Sequence, residues 1–103
     1  MYFKKKRSIE LSYERQGLIY FLCVNYNKLS AELQRHIHNI CLEVGAEYYA
    51  ALFELVTTTA SVTAISSKHY TSPETMYRLL RKFYKSIDKS LKLTIKEEAS
   101  NIK

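Results

Sequence analysis

Residues 72–91 read SPETMYRLLRKFYKSIDKSL, and this stretch decides the fold class. It opens with the best-defined helix start in the chain. Ser72 can cap, Pro73 is tolerated at the first helical position because that amide needs no partner, and Glu74 complements the positive end of the helix dipole. At 100° per residue, Met76, Leu80, Phe83, Ile87 and Leu91 fall within a sector of about 80°. Arg78, Arg81, Lys82, Lys85, Lys89 and Lys92 share the opposite side, within about 100°. Apolar and cationic faces separated in this way predict one amphipathic helix from Pro73 to about Leu91. After Leu93 the sequence turns polar without a stop signal, and residues 94–103 are expected to form a flexible tail.

Working back from Ser72, a short helix is predicted over Ser61–His69, with Ser61 as its cap and Val62, Ile65 and His69 turned inward. The run Thr57-Thr58-Thr59-Ala60 separates it from a helix over Ala46–Val56, because β-branched threonines support a helix weakly and bond to nearby backbone instead. That third helix groups Tyr49, Leu52, Phe53 and Val56. The second begins after Ser30, a further N-cap, and carries Leu33, Ile37, Ile40, Cys41 and Val44 at helical spacing. Gly45 follows the last periodic residue, where a left-handed C-cap commonly sits. The first helix is expected over Ser12–Tyr26, with Leu18, Ile19, Leu22 and Cys23 on one side. The prediction is an all-α protein, a compact bundle of about five helices containing a helix-turn-helix. A basic arm, 1–11, precedes a single domain, 12–93, made of scaffold helices (12–57) and the helix-turn-helix (58–93).

Composition narrows the alternatives. A length of 103 residues suits one compact domain rather than two. With 2 Gly and 1 Pro, the chain lacks the turn residues that a β-sandwich or a glycine-cradled nucleotide site requires. No run of 18 apolar residues occurs, which excludes a spanning helix, and the basic start Lys4-Lys5-Lys6-Arg7 runs into Ser, Glu and Tyr rather than the apolar core of a secretory signal. A cytoplasmic protein is expected, with Cys23 and Cys41 reduced and buried. The net charge of +6 is unevenly spread. Residues 1–7 hold four positives, residues 8–67 sum to −3, and residues 68–103 sum to +5. Only part of the surface is therefore suited to meet an anion.

The short helix, the tight connection around Thr71 and the longer capped helix have the layout of a helix-turn-helix. A recognition helix entering the major groove N-terminus first needs small polar readers in its first turn and cations further along. Ser72, Glu74, Thr75 and Arg78 are the candidate base readers. Arg81, Lys82 and Lys85 are the candidate phosphate ligands, with Lys68 reaching from the preceding helix. A packing helix with a solvated basic face would show the same pattern.

The residues Ser61-Val62-Thr63-Ala64-Ile65, then Ser72, Thr75, Tyr77-Arg78 and Leu80-Arg81, resemble the region 4 helix-turn-helix of bacterial sigma factors. Small phage and mobile-element transcription regulators of Gram-positive bacteria, of the RinA and ArpU types, are similar over this stretch. The resemblance spans about Ala46 to Leu91. It implies DNA binding, with Ser72, Glu74, Thr75 and Arg78 standing where that family reads promoter bases. The family usually carries a small residue and Leu-Gly-Val before the capping serine. This chain has Ser67-Lys68-His69-Tyr70-Thr71 there, so Tyr70 is expected to take a conformation that glycine adopts more easily. The region that melts promoter DNA has no counterpart, which leaves a stand-alone binder.

Other chemistries find little support. His36 and His38 point about 200° apart on a helix and cannot share an ion; His38 and Cys41 alone make no zinc site, and no metal or other cofactor is expected. The nine tyrosines recur at helical spacing beside aliphatic residues, as core fillers do, rather than as a platform for single-stranded bases. Glu43, Glu47 and Glu54 read as surface acids without a Ser, Cys or His partner, and neither a nucleophile elbow nor a P-loop is present, so no enzyme is expected. Leu18, Ile19, Leu22, Leu33, Ile37 and Ile40 offer more apolar surface than a helix-turn-helix requires, and serve either the core or a homodimer through residues 12–44. The function expected first is sequence-specific binding of double-stranded DNA by a small phage or mobile-element transcriptional regulator. The alternative is a phage-encoded inhibitor or adaptor that presents its basic helix to a protein such as RNA polymerase or a CRISPR effector.

Overall fold

The computed structural model describes Ile9 and residues 11–101, with side chains through Ser90. Five α-helices follow in order: α1 (Tyr13–Val24), α2 (Ala31–Gly45), α3 (Tyr49–Thr57), α4 (Val62–Lys68) and α5 (Pro73–Asn101). Single 3-10 turns, Tyr26–Lys28 and Ala46–Tyr48, precede α2 and α3, and no strand occurs among the described residues. The fold is all-α, as the periodicity predicts.

Serines set the helix starts. The hydroxyls of Ser12, Ser30 and Ser61 accept the amides of Arg15, Leu33 and Ala64 at 3.1–3.2 Å, and Ser72 accepts that of Thr75 at 3.1 Å. Each removes one of the orphan donors at its helix end, a contribution of about 1 kcal/mol. The threonine run ends α3 in the expected way: Thr57 Oγ1 and Thr58 Oγ1 donate to the carbonyls of Phe53 and Glu54, both at 2.7 Å.

The core forms around α5, which packs against each of the other four helices. Met76, Leu79, Leu80, Phe83 and Ile87 meet Ile19 and Cys23 from α1, Ile37, Ile40 and Cys41 from α2, Leu52 and Leu55 from α3, and Val62 and Ile65 from α4. Burial of each such side chain contributes about 2 kcal/mol. Ile19, Ile37 and Ile40 are thereby spent on the chain's own core, and Leu22 and Leu33 are half-buried. Of the apolar residues that the sequence offers for a homodimer, only Leu18 is left exposed, together with Tyr13 and Phe21 on α1. Both thiols are buried and unpaired. Burial pushes each up to about 12, and the neighbouring Cys41 adds to the rise at Cys23, so both stay protonated and inert.

Two polar ties anchor α1. Arg15 Nε donates to Asp88 Oδ1 of α5 at 2.6 Å, with Asp88 almost wholly buried. The buried amide of Gln16 donates to the carbonyls of Ile9 and Leu11 at 3.2 and 3.1 Å, which holds the entering segment against the helix. Ile9 is 2% exposed and belongs to the core rather than to a basic arm, while residues 1–8 lie outside the described residues.

Several boundaries differ from the sequence expectation. α1 ends at Val24 because the side chain of Asn25 turns back to the Phe21 carbonyl, which leaves Tyr26 in a 3-10 turn. The turn after α2 places its positive φ on Ala46 (φ 48°, ψ −119°), and Gly45 is an ordinary helical residue. Gly45 is buried against α3, where a Cβ would stand 3.4 Å from Leu52 Cδ2. Close approach of the helices sets this position, and the strain passes to the next residue. α5 continues to Asn101 instead of ending near Leu91. Leu, Lys, Glu and Ala are good helix formers and no Gly or Pro interrupts them, so segment 94–101 extends the helix rather than forming an irregular tail. The side chains of Leu91 and Lys92, and residues 102–103, lie outside what is described.

Candidate nucleic-acid interface

The α4–α5 corner is built from backbone bonds in which side chains take no part. The Thr71 amide donates to the Ser66 carbonyl at 3.0 Å and the Tyr70 amide to the Ser67 carbonyl at 3.4 Å. Together these form a Schellman ending, which requires a left-handed residue at the position Tyr70 holds. Tyr70 adopts φ 54°, the conformation expected for it in the absence of glycine. Four residues, 69–72, therefore separate α4 from α5, and Ser72 caps α5 at once.

Along the first turns of α5, Glu74 and Arg78 are exposed and Thr75 and Arg81 are half-buried. With Tyr77, which is 42% exposed, they line an open concavity of about 660 Å³. Three of the four expected base readers and one expected phosphate ligand thus share one surface. Lys82, Lys85 and Lys89 continue the exposed cationic face beyond it. Among the described residues Arg78, Arg81 and Lys82 make no ion pair.

Two expected site residues carry other duties. The Ser72 hydroxyl accepts the Thr75 amide and donates to Thr75 Oγ1 at 2.9 Å, so its proton is already used in the cap. Lys68 Nζ lies 3.0 and 2.9 Å from the two carboxylate oxygens of Glu54 on α3. Its charge meets a phosphate only by leaving Glu54, an exchange that a weak surface ion pair permits. Glu54 is accordingly not the partnerless acid that the sequence suggests. His69 Nε2 stands 3.0 Å from Glu54 Oε1, and because a carboxylate only accepts, that nitrogen carries the proton. The hydrogen bonds from Lys68 and then His69 hold the Glu54 carboxyl below the usual glutamate range. The pair clamps the end of α4 onto α3 and fixes the corner from which α5 departs.

Several other aromatic residues behave as fillers. Tyr26 meets Phe53 edge-on at 5.0 Å between centroids, and His38 packs edge-on against Tyr49 and Phe53 at 5.4 and 5.7 Å. His36 and His38 are both half-buried. Among the described residues no three of His, Cys, Asp and Glu come together as a metal site would require, and no helix is long and apolar enough to cross a membrane. Sequence reasoning named Tyr70 as the turn residue but missed Tyr77 and Glu54 as parts of this corner. Only Tyr77, one residue before Arg78 on the same helix, had a local signal. Comparison of the chain with protein-family models, curated proteins and solved structures gives no match.

Proposed function

We propose that this chain binds double-stranded DNA in a sequence-dependent manner and acts as a small transcription regulator, with α5 entering the major groove from its N-terminal end. The observation that carries this reading is the grouping of Glu74, Thr75, Arg78 and Arg81 on one open surface at the capped start of a long cationic helix. The polarity of that surface suits base edges: Arg donates in a fork to guanine, Glu accepts from cytosine, and a threonine hydroxyl serves either. Arg81, Lys82 and Lys85 follow where the sugar–phosphate strands flank a groove. The resemblance of residues 61–81 to sigma region 4 adds the promoter-directed, phage or mobile-element character of the proposal.

Selection of bound duplexes from a random pool, followed by titration over a range of salt, tests the reading. A consensus whose affinity falls steeply with salt supports it, because phosphate contacts release counterions. Failure to retain any duplex at low salt overturns it. A protein partner is the second reading, and the exposure of Tyr13, Leu18 and Phe21 on α1 is the observation that favours it. That reading requires a stoichiometric complex from host lysate that survives nuclease.

A further inference from the structure

Tyr70 is the most exposed large hydrophobic residue among those described, at 97%, and it stands at one of the two corners where glycine would fit the backbone better. Its ring buries almost nothing, so it adds no packing to the fold. A non-glycine residue at this φ weakens the folding equilibrium on the order of tenfold. Strain of this kind, held by a side chain that does nothing for the folded monomer, points to a use outside it. The neighbouring polar groups are engaged: Lys68 and His69 with Glu54, and Ser72 with Thr75. Among the described residues the Tyr70 hydroxyl has no such partner.

We infer that Tyr70 is a phosphate-contacting residue whose phenol donates a hydrogen bond to the DNA backbone at the edge of the groove entered by α5. This rests on the DNA-binding reading above and adds to it a residue that neither the charge pattern nor the family resemblance marks. The placement follows from the corner itself. Tyr70 lies two residues before the Ser72 cap, so an α5 that enters a groove N-terminus first brings the connection to the flanking strand. Tyrosine hydroxyls donate to phosphate oxygens there without reading sequence. At φ 54° the side chain stands 97% exposed.

The test uses the full chain, a fluorescein-labelled duplex of random sequence, and a thermal melt of each variant. Tyr70→Phe removes only the hydroxyl and is expected to weaken binding roughly tenfold, the effect of one hydrogen bond to a charged acceptor. Its Tm should equal that of the wild type, because the side chain is 97% exposed. The salt dependence should also be unchanged, since a neutral donor releases no counterion, whereas Lys82→Ala reduces that slope. Tyr70→Gly is expected to bind as weakly as Tyr70→Phe while melting a few degrees higher. Wild-type binding to the duplex with Tyr70→Phe equal to wild type overturns the assignment, including the case in which only Tyr70→Ala is weak. A wild-type chain that binds no duplex overturns the DNA reading itself, and the assignment falls with it.

Discussion

Two corners of the molecule solve one problem by different means. Each must reverse the chain through a non-glycine residue with positive φ, Ala46 after α2 and Tyr70 after α4. The α2–α3 corner is held by apolar packing: Gly45 is buried, and a Cβ added to it would stand in van der Waals contact with the fully buried Leu52. The α4–α5 corner is held by polar contact, through the Schellman bonds, the Ser72 cap and the pairing of Lys68 and His69 with Glu54. An apolar lock ignores salt and pH. A polar lock responds to both, and it lies beside the surface proposed to meet DNA.

The largest effect expected is on the apolar side. Leu52→Ala should destabilise the chain by about 3 kcal/mol through lost burial and the cavity left behind, and the loss should be the same at low and high salt. Urea midpoints measured at two ionic strengths check both statements; a salt-dependent loss would erase the contrast between the corners. Next in size are two changes of about 1 kcal/mol and opposite sign. Ala46→Gly should stabilise by about that much, because φ 48° with ψ −119° lies in a region open to glycine and costly for other residues. Ser72→Ala should destabilise by a similar amount, as the loss of an N-cap does. Thermal melts separate them, and a lower Tm for Ala46→Gly would break the account of that corner.

The smallest effect is at Glu54, and it is the one that depends on pH. Its folded pKa is depressed, so its contribution is present above the ordinary glutamate range and is lost as the pH falls through the folded value. Glu54→Gln should therefore lower stability slightly at neutral pH and leave it unchanged in acid, where the wild type has lost the same interaction. Denaturation curves at pH 7 and in acid below the folded value of Glu54 check the sign. An equal loss at both pH values would show that the carboxylate charge plays no part in the clamp.

How far the sequence could be read differs between these corners as well. Serine caps are local chemistry, and Ser30, Ser61 and Ser72 hold the cap places that their spacing from the apolar pattern implies, while Ser12, expected inside the first helix, proves to cap it. Glu74, Thr75 and Arg78 fell together because they lie on two turns of one helix. Contacts between elements left no such trace. Gly45 reads as a C-cap from its position, but the approach of α3 claims it, and the strain moves to Ala46, whose side chain gives no hint of it. Glu54 and His69 are fifteen residues apart, and only the fold of α4 against α3 brings them to 3.0 Å. Asp88 interrupts the cationic face as one more polar residue in the sequence, yet it is buried because Arg15 waits for it on α1.

That last pair joins residues 73 positions apart, nearly the two ends of the described chain. During synthesis at ~5–20 residues per second, α1 is made about 4–15 s before its partner on α5 exists. Over that interval Ile19 and Cys23 have no α5 to cover them, and the core cannot close in the order in which it is translated. The helix that carries the proposed DNA surface is made after the four helices it packs against, so a chain cut before α5 lacks both the centre of this core and the interface.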